Sequence, residues 1–306
     1  AVQRFLRQMH AEGVNILALE ASSHGLDQQR LQAVPVTVAV YTNLSRDHLD
    51  YHPDMEDYAR AKARLFDTAY FPQLTHAVIN ADDEFASLMA ETARRSGVKV
   101  WLYSLASEQG TINEIANDAY FVANKIEPSL EGVKIEVETS FGPLTLHSPL
   151  LGRFNVANLL AAVAGAMALG IELEDLPALV TKLQGASGRM QRVSIEDQDA
   201  DSEQGVFIVD YAHTPDALTQ VLTSLKSHCS GNLWAIFGCG GDRDKGKRPL
   251  MAQAGLAVAD KVVLTSDNPR SEDPEQILED MQQGMSDEQH QKTTVIADRK
   301  QAIQYA

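Results

Sequence analysis

The densest group of side chains that could bind a metal lies in one short stretch, DHLDYH, which begins at Asp47. His48 and His52 offer imidazole nitrogens, and Asp47 and Asp50 offer carboxylates. Glu20, which closes an apolar run earlier in the chain, could add another carboxylate. Carboxylates suit Mg²⁺, whereas histidine is a less usual ligand for that ion and more often forms a satisfied turn or surface pair. The stretch therefore indicates a metal and phosphate site only where neighbouring residues support it.

A lysine interrupts the apolar face of the helix that follows. Pro53 suits the first helical position, and the apolar spacing continues from there. The apolar face is formed by Met55, Tyr58, Ala59, Leu65 and Phe66. Position 62 falls on this face and is Lys62. A buried lysine must reach solvent, pair with an acid, lose its proton or be chemically changed. Because an ammonium would repel a nearby Mg²⁺, we hypothesise that CO₂ carbamylates Lys62 and makes its end group an anion.

Two loops that follow predicted buried strands carry arginines suited to an anionic ligand. Arg243 lies in GCGGDRDKGKRP, and Arg270 lies in SDNPRSEDP. A guanidinium binds a carboxylate through two parallel hydrogen bonds, although surface arginines are commonly only solvated or paired with nearby acids. The two loops together predict a small anionic or zwitterionic substrate.

One segment comes close to a phosphate-binding loop and is rejected. GDRDKGKR, from Gly241 to Arg248, fits the G-x-x-x-x-G-K part of the motif. Arg248 stands where a serine or threonine must ligate Mg²⁺, and Pro249 removes a backbone donor. The loop can hold an anion, but it is not a nucleotide-binding P-loop.

Composition excludes several classes of function. A chain of 306 residues is long for one core, and 44% hydrophobic with 22% charged residues is an ordinary globular composition. A formal net charge of −16 argues against general binding to nucleic acid or to an anionic membrane. No apolar run approaches the roughly 18 residues that a membrane-spanning helix needs. Cys229 and Cys239 cannot build a disulfide framework, so we expect a reducing, cytoplasmic environment.

Short apolar runs alternate with helical patterns, which predicts an α/β fold with a mostly parallel sheet. The predicted strands of the first part are residues 14–19, 36–41, 76–79 and 98–103. Residues 119–150 instead predict a small antiparallel meander. A second β/α series follows, with predicted strands at 207–209, 233–237 and 261–265. Ligands in such folds lie beyond the carboxyl ends of the strands, which is where the polar clusters fall.

A series of segments stands in the order found in Mur ligases, the ATP-dependent amino-acid ligases of peptidoglycan precursor synthesis. The segments are EASSHGLDQQR, TNLSRDHLDYH with YARAKARLF, GRFNVANLLAA, GRMQR, DYAHTPDAL, FGCGGDRDKGKRP and DNPRSEDP. The chain resembles that family over nearly its whole length. The last two segments resemble those of the diaminopimelate-adding members rather than the lysine-adding ones.

The resemblance implies a domain for the UDP end of the substrate, a central ATPase domain and a Rossmann-like C-terminal domain. We expect residues 1–187 to form the central domain and residues 188–306 the C-terminal domain. The first domain and the true phosphate loop would lie upstream of Ala1, and the family's last diaminopimelate contacts would lie beyond Ala306. We therefore expect the chain to be a fragment that is inactive alone.

The resemblance also implies a role for individual residues. The implied Mg²⁺ and catalytic residues are Glu20, His48 and carbamylated Lys62. The implied contacts to the UDP-muramoyl-dipeptide are Ser22, Gln28 and Arg30. The implied nucleotide-binding residues are Asn155, Asn158, Arg189, Asp210 and His213. The implied diaminopimelate-binding residues are Arg243, Asp267, Asn268, Pro269 and Arg270.

The implied reaction uses ATP as co-substrate and Mg²⁺ as cofactor. ATP phosphorylates the D-glutamate carboxylate of UDP-N-acetylmuramoyl-L-alanyl-D-glutamate, and an amine of meso-2,6-diaminopimelate attacks the resulting acyl phosphate. We expect a monomer without nucleic-acid or membrane partners. Alternatives are a related ligase such as a folylpolyglutamate synthetase, a non-catalytic binding module, and a metal hydrolase built on His24, His48 and His52.

Overall fold

The computed structural model describes residues 2–45, 48, 51–105, 112, 114–193 and 205–306. Asp47 and Asp50 of the predicted ligand cluster lie outside these residues. The chain divides into two compact units. Unit 1 comprises Ala1–Glu127, Lys134–His147 and Phe154–Lys182, and unit 2 comprises Pro128–Val133, Ser148–Arg153 and Leu183–Ala306. The limits expected from the sequence, 1–187 and 188–306, stay a prediction.

The main sheet has six strands in the order β1-β2-β3-β4-β5-β6. They are β1 (Val38–Tyr41), β2 (His76–Asn80), β3 (Lys99–Ser104), β4 (Ala119–Ser129), β5 (Gly132–Thr139) and β6 (Gly142–Ser148). Strands β1 to β4 pair in parallel. Residues 130–131 and 140–141 join the last three strands, and connections this short require antiparallel neighbours. The predicted mostly parallel sheet with an antiparallel section is confirmed.

Burial explains why each part of this sheet reads as it does in the sequence. The middle of β2 is Ala77, Val78 and Ile79, each 0% exposed, because a parallel strand is covered on both faces. Strand β6 instead alternates buried and less buried residues, as a strand covered on one face does. The helices of this part are α1 (Val2–Ala11), α2 (Ser23–Asp27), α3 (Met55–Ala63), α4 (Ala86–Arg95), α5 (Arg153–Ala168) and α6 (Leu176–Val180). No helix among the described residues is long and apolar enough to cross a membrane.

Residues 14–19 are not the buried strand that the sequence predicts. They form no strand in the structure, and Ile16 is 63% exposed and Leu19 is 44% exposed. An apolar run becomes a strand only when another strand accepts its backbone hydrogen bonds, and the described part of the chain supplies none to this run. The run therefore leads, without regular secondary structure, to Ser22 at the start of α2.

Unit 2 contains a parallel sheet in the order β11-β10-β9. Its strands are β9 (Trp234–Phe237), β10 (Lys261–Leu264) and β11 (Thr293–Val295). Its helices are α7 (Pro215–Lys226), α8 (Lys247–Val258), α9 (Pro274–Gln282), α10 (Asp287–Lys292) and α11 (Arg299–Tyr305). Helices of the unit, among them α7, α8 and α9, bury an apolar core together with the sheet. This is the α/β arrangement expected for the second part.

The first strand of the predicted second series lies elsewhere. Phe207–Val209 forms β8, which pairs antiparallel with β7 (Gln191–Val193) in a separate sheet of two strands. Val209 is 48% exposed, so this strand does not have the burial of a central parallel strand. An apolar triplet in the sequence does not specify which strand it will pair with.

Candidate functional site

Lys62 lies on a helix whose start is fixed by a carboxylate. The helix begins at Met55 rather than at Pro53, and Asp54 caps it, because its side chain accepts a hydrogen bond from the Asp57 backbone N–H at 2.7 Å. Tyr58 and Ala59 are buried, so the apolar face that the sequence predicts is present. Lys62 is half-buried on this face, and its Nζ donates to the Ala21 carbonyl oxygen at 3.2 Å.

The electrostatic environment of Lys62 favours loss of its proton. Burial lowers the pKa of Lys62, and the nearby Glu20 carboxylate partly opposes this shift. The shift increases the fraction of neutral amine at a given pH. A neutral amine is the form that reacts with CO₂, so the chemical environment suits the hypothesis of carbamylation.

His48 approaches the same region through aromatic neighbours. Its backbone has a positive φ of 56°, which few residues other than glycine adopt. The His48 ring lies 5.0 Å from the His24 ring and 5.6 Å from the Tyr58 ring, measured between centroids. Lys62 Nζ lies 6.0 Å from the Tyr58 centroid. Tyr58 is therefore a shared neighbour of His48 and Lys62, and Glu20 is electrostatically coupled to Lys62.

His52 is a buried structural residue rather than a ligand. It is 2% exposed, its Nδ1 lies 2.9 Å from Asp57 Oδ2, and its Nε2 lies 3.0 Å from Ser23 Oγ. A carboxylate only accepts, so Nδ1 carries a hydrogen, and in the neutral ring Nε2 accepts from the serine hydroxyl. This is the order of a serine hydrolase triad, but Ser23 is 0% exposed and no substrate can reach it.

His52 therefore does not fit the metal hydrolase suggested by His24, His48 and His52. Both ring nitrogens of His52 are occupied, and no group of three or more metal-ligating side chains occurs among the described residues. The Ser23–His52–Asp57 chain instead ties the segment after Glu20 to the start of α3. The sequence showed only a histidine close to other polar residues and did not indicate this hydrogen-bonded chain.

A second tie joins the same elements, and it involves residues next to the predicted dipeptide contacts. The Tyr51 hydroxyl donates to Asp27 Oδ2 at 2.6 Å, and Arg64 Nη1 donates to Asp27 Oδ1 at 2.7 Å. Gln28 Nε2 donates to the Tyr51 hydroxyl at 3.3 Å. Of the other predicted contacts, Ser22 caps α2 by accepting from the Gly25 N–H at 3.1 Å, and Arg30 is exposed. The three predicted contacts thus lie on or next to α2.

The residues that could hold Mg²⁺ supply suitable donor atoms, but the charge of Lys62 must change before the ion can bind. Glu20 offers an exposed carboxylate, and His48 an imidazole. Lys62 fits a cation site only as an anion, because a protonated amine would repel the metal. Its half-buried position and lowered pKa make the carbamate chemically accessible. The set fits Mg²⁺ on that condition.

The predicted nucleotide-binding residues are divided between the two units. In unit 1, Asn155 and Asn158 lie on α5, and Asn158 Nδ2 donates to Asn155 Oδ1 at 3.4 Å. In unit 2 the other three residues gather around Tyr211, which is 64% exposed. The Arg189 guanidinium lies 4.9 Å from the centroid of the Tyr211 ring, and the centroid of the His213 ring lies 5.2 Å from it. The Asp210 carboxylate accepts hydrogen bonds from the backbone N–H groups of Met190 and Ala212. Tyr211 was not predicted, although it stands inside the DYAHTPDAL segment.

The two arginine-bearing loops of unit 2 leave neighbouring parallel strands at the same edge. In the β9–β10 register Phe237 is opposite Leu264, and the loops begin directly after these residues. The Gly241 N–H donates to the Asn268 carbonyl at 2.9 Å. A side chain at Gly241 would lie 1.8 Å from the Pro269 carbonyl oxygen, so only glycine allows this approach. The predicted residues of both loops are therefore brought together.

The side chains of these loops differ in whether they form ion pairs or hydrogen bonds. Asp267 Oδ1 lies 3.7 Å from Arg299 Nη1. Arg243 and Arg270 are exposed, and neither guanidinium makes a hydrogen bond or ion pair with the residues that the structure describes. Both arginines are thus available to bind an anion at this edge.

Arg248 shows why the near-match to a P-loop fails. It is 1% exposed and points into the protein, with Nη1 2.7 Å from Asp280 and Nη2 2.7 Å from Glu272. Sequence reasoning treated Arg248 only as a mismatch. Helical periodicity, which identified Lys62, could also have identified Arg248. Arg248 begins a buried face of α8 that continues through Met251, Ala252 and Gly255.

The sequence of this chain matches two family models over most of its length. "Mur ligase middle domain" matches residues 1–166, and "Mur ligase, glutamate ligase domain" matches residues 188–306. The chain belongs to the Mur ligase family. All of the ordered segments quoted above lie within these two matched ranges.

Individual relatives agree with this membership. The chain is 44% identical over 305 residues to UDP-N-acetylmuramoyl-L-alanyl-D-glutamate–2,6-diaminopimelate ligase of Vibrio vulnificus (strain YJ016), covering 100% of this chain and 58% of the relative. A solved structure of a ligase of the same description superposes with a TM-score of 0.75 at 48% identity, covering 99% of this chain and 58% of that one. The chain thus spans a little over half the length of these relatives.

A folylpolyglutamate synthase of Mycobacterium tuberculosis is more distant. Its solved structure superposes with a TM-score of 0.62 at 20% identity, covering 90% of this chain and 57% of that one. At that identity the likeness concerns the fold alone. It gives no support to the alternative of a folylpolyglutamate synthetase.

Proposed function

We propose that the protein of full family length containing this chain is an ATP-dependent ligase that adds meso-2,6-diaminopimelate to UDP-N-acetylmuramoyl-L-alanyl-D-glutamate. The observation that carries the proposal is the pair of exposed guanidinium groups, Arg243 and Arg270, on loops joined at one sheet edge. Diaminopimelate has a second amino-acid head where lysine has only an ammonium. An extra carboxylate is what such arginines recognise. The identity to diaminopimelate ligases over the whole chain supports the same choice.

The proposed reaction proceeds in two balanced steps. The D-glutamate carboxylate attacks the terminal phosphorus of ATP, and ADP leaves as the acyl phosphate forms. The amine of diaminopimelate then attacks the acyl carbon, giving a tetrahedral intermediate that loses a proton and inorganic phosphate as the amide forms. Such a reaction depends mainly on positioning and on stabilising charge.

In this proposal the residues of unit 1 serve phosphoryl transfer. Mg²⁺, when bound, neutralises charge on the phosphoryl group during its transfer. Glu20, His48 and the carbamate of Lys62 would hold the ion, and carbamylation converts the neutral amine and CO₂ into an anion and a proton. The lowered pKa of Lys62 supports this assignment. Ser22, Gln28 and Arg30 would contact the UDP-linked substrate.

Further residues of both units complete the proposal. Asn155 and Asn158, with Arg189, Asp210 and His213, would bind the nucleotide. Asp267, Asn268 and Pro269 would shape the amino-acid site through the loop backbone. We also propose that the protein acts as a cytoplasmic monomer, which the free thiols of Cys229 and Cys239 suit. Light scattering of the full-length protein would test the oligomeric state.

The deciding experiment measures ADP release by the full-length protein with UDP-N-acetylmuramoyl-L-alanyl-D-glutamate, ATP and Mg²⁺. Diaminopimelate and lysine are offered in parallel, with no amino acid as the control. The proposal expects ADP release that depends on diaminopimelate and is much weaker with lysine. Equal use of both amino acids would contradict the specificity, and ADP release independent of any amino acid would contradict the ligase.

A further inference from the structure

Arg248 is the most deeply buried charged side chain among the described residues of unit 2. Taking a guanidinium and its partners out of water costs free energy, so such pairs contribute little net stability. The Arg248 Nε also has no hydrogen-bond partner among the described residues. This arrangement is poorly explained by stability alone, and it raises the question of what the arginine positions.

The arginine connects three parts of unit 2. It stands at the start of α8, Glu272 ends the loop after β10, and Asp280 lies on α9. Glu272 Oε1 also accepts the Asp242 backbone N–H at 2.6 Å, and Lys245 Nζ lies 3.3 Å from Glu272 Oε2. One carboxylate therefore ties the loop that carries Arg243 to the loop that carries Arg270.

A second tie, between Asp242 and Ser271, lies next to Arg243 in one loop and next to Arg270 in the other. The Ser271 hydroxyl lies 2.7 Å from Asp242 Oδ1 and 2.9 Å from Oδ2, so it donates to this carboxylate, and the Ser271 N–H lies 3.3 Å from Oδ2. Asp242 precedes Arg243 in the chain, and Ser271 follows Arg270. Asp242 and Arg270 both have a φ of 52°, a region that costs energy for residues with a Cβ. The ties therefore hold strained backbone at Arg270 and at Asp242, the residue before Arg243.

The same ties leave the arginines electrically uncompensated. Glu272 is engaged by Arg248 and Lys245, and Asp242 is engaged by Ser271. Arg243 and Arg270 have no ion-pair partner within the described part of the chain. The loop carboxylates thus fix the loops without neutralising the groups available to a ligand.

We propose that Arg248, Glu272, Asp242 and Ser271 are positioning residues that set the spacing of Arg243 and Arg270, and through it the selection of an amino acid with a second carboxylate. This inference rests on the proposed function. It assigns no substrate contact to the four residues. Their effect passes through the backbone of the two loops.

The test compares variants of the full-length protein. Glu272→Gln removes the charge that Arg248 and Lys245 hold, and Ser271→Ala removes the hydroxyl donor to Asp242. Asp280→Asn alters the other partner of Arg248, and Asp280 itself contacts neither loop. Glu288→Gln is the matched control, since it breaks an exposed ion pair with Lys292 in the same unit. Steady-state rates with diaminopimelate, lysine and ATP, calorimetric binding of diaminopimelate and thermal unfolding are measured for each.

For Glu272→Gln we expect the KM for diaminopimelate to rise about tenfold, as for a displaced binding group, with the KM for ATP within about twofold. The preference for diaminopimelate over lysine should fall by about the same factor. Ser271→Ala should show a smaller shift in the same direction, Asp280→Asn a smaller one still, and Glu288→Gln none.

A purely structural role would lower the unfolding temperature without changing the KM or the preference, and that result in folded Glu272→Gln and Ser271→Ala would overturn the inference. If the wild-type protein releases ADP with diaminopimelate and the variants keep its KM and preference, the inference is contradicted while the proposed function stands. A wild-type protein that releases none overturns the proposed function and the inference with it.

Discussion

The two candidate sites of this chain are held in place by different means. In unit 1, a buried histidine and stacked rings form the centre of the frame, beside the half-buried ion pair of Arg64 and Asp27: His52 is bonded to Ser23 and Asp57, and its ring stacks on Tyr58 at 5.2 Å and 13°. In unit 2, charges form the frame, with Arg248 1% exposed between two carboxylates.

The difference follows from the charge that each site must present. The unit 2 frame uses its own acids and leaves Arg243 and Arg270 free, so the site attracts an anion. The unit 1 frame leaves the charge of the site to Glu20 and Lys62. Among the described residues, the only hydrogen bond of Lys62 is to a backbone carbonyl, and burial lowers its pKa. Under the proposed function, that site accepts Mg²⁺ only when the lysine is neutralised or modified.

The largest effect is expected from the lysine. In the full-length protein, Lys62→Ala should lower kcat by about a thousandfold, because charge stabilisation of the phosphoryl group is lost. Acetate or formate should restore part of the rate by replacing the carbamate. Turnover with added short carboxylates is the measurement.

Two controls make this prediction specific. Arg60→Ala changes an exposed cation on the same helix and should leave the rate unchanged. Lys62→Arg keeps a cation that cannot be carbamylated. If Lys62→Arg retained activity, a positive charge would be required at this position and the carbamate hypothesis would be wrong.

The second effect concerns the anion site. Arg270→Ala should raise the KM for diaminopimelate by about a hundredfold, the upper range for losing a charged hydrogen-bonding group. The KM for ATP should change little. Lys300→Ala, which removes an exposed cation of α11, is the control for a general loss of positive charge. Unchanged use of diaminopimelate by Arg270→Ala would remove the basis for the proposed specificity.

The sequence predicted those parts of the molecule that depend on local pattern. Strand β2 is a continuous apolar run, and Lys62 interrupts a helical face, so both could be found by periodicity. Residues 14–19 and 207–209 have the same apolar character, yet one forms no strand and the other pairs in a separate sheet. Pairing depends on a partner elsewhere in the chain, which periodicity does not contain.

The candidate sites show the same limit. Motifs identified Arg243 and Arg270, but the ties between Asp242, Ser271 and Glu272 join positions about 30 residues apart and have no local signature. His52 looked like a metal ligand because its residue type allows it. Only the positions of Ser23 and Asp57 on either side of the ring show that its nitrogens are occupied.

A third prediction tests the unit 1 frame around His52. His52→Phe keeps a ring against Tyr58 but leaves the buried Ser23 hydroxyl without its partner, so the free energy of unfolding should fall by about 2 kcal/mol. Urea unfolding at constant m measures the change. Adding Ser23→Ala should recover part of the loss, since removing both partners is less costly than removing one. A double variant that shows the sum of two independent losses would contradict the coupling.

The smallest effect is the pH dependence of the charged frame, and it has a definite sign. The hydrogen bond from Arg248, with help from the Asp242 N–H, lowers the pKa of Glu272 to about 2. A carboxylate with a depressed pKa binds fewer protons in the folded state, so its stabilisation is fully present above its ordinary range and is lost as the pH falls toward 2. The stability difference between wild type and Glu272→Gln should be constant near neutral pH and shrink below about pH 4.5.

Lys62 should show a dependence of the same sign in the alkaline range, although its depressed pKa favours the neutral form of the group, whereas that of Glu272 favours the charged form. Its depressed pKa means that the unfolded chain binds more protons between that pKa and the ordinary lysine value, so stability should rise with pH across this interval. Comparing wild type with Lys62→Met by urea unfolding in alkaline buffers measures the slope. A difference that does not vary with alkaline pH would show that the amine is already uncharged, or modified, in the folded protein.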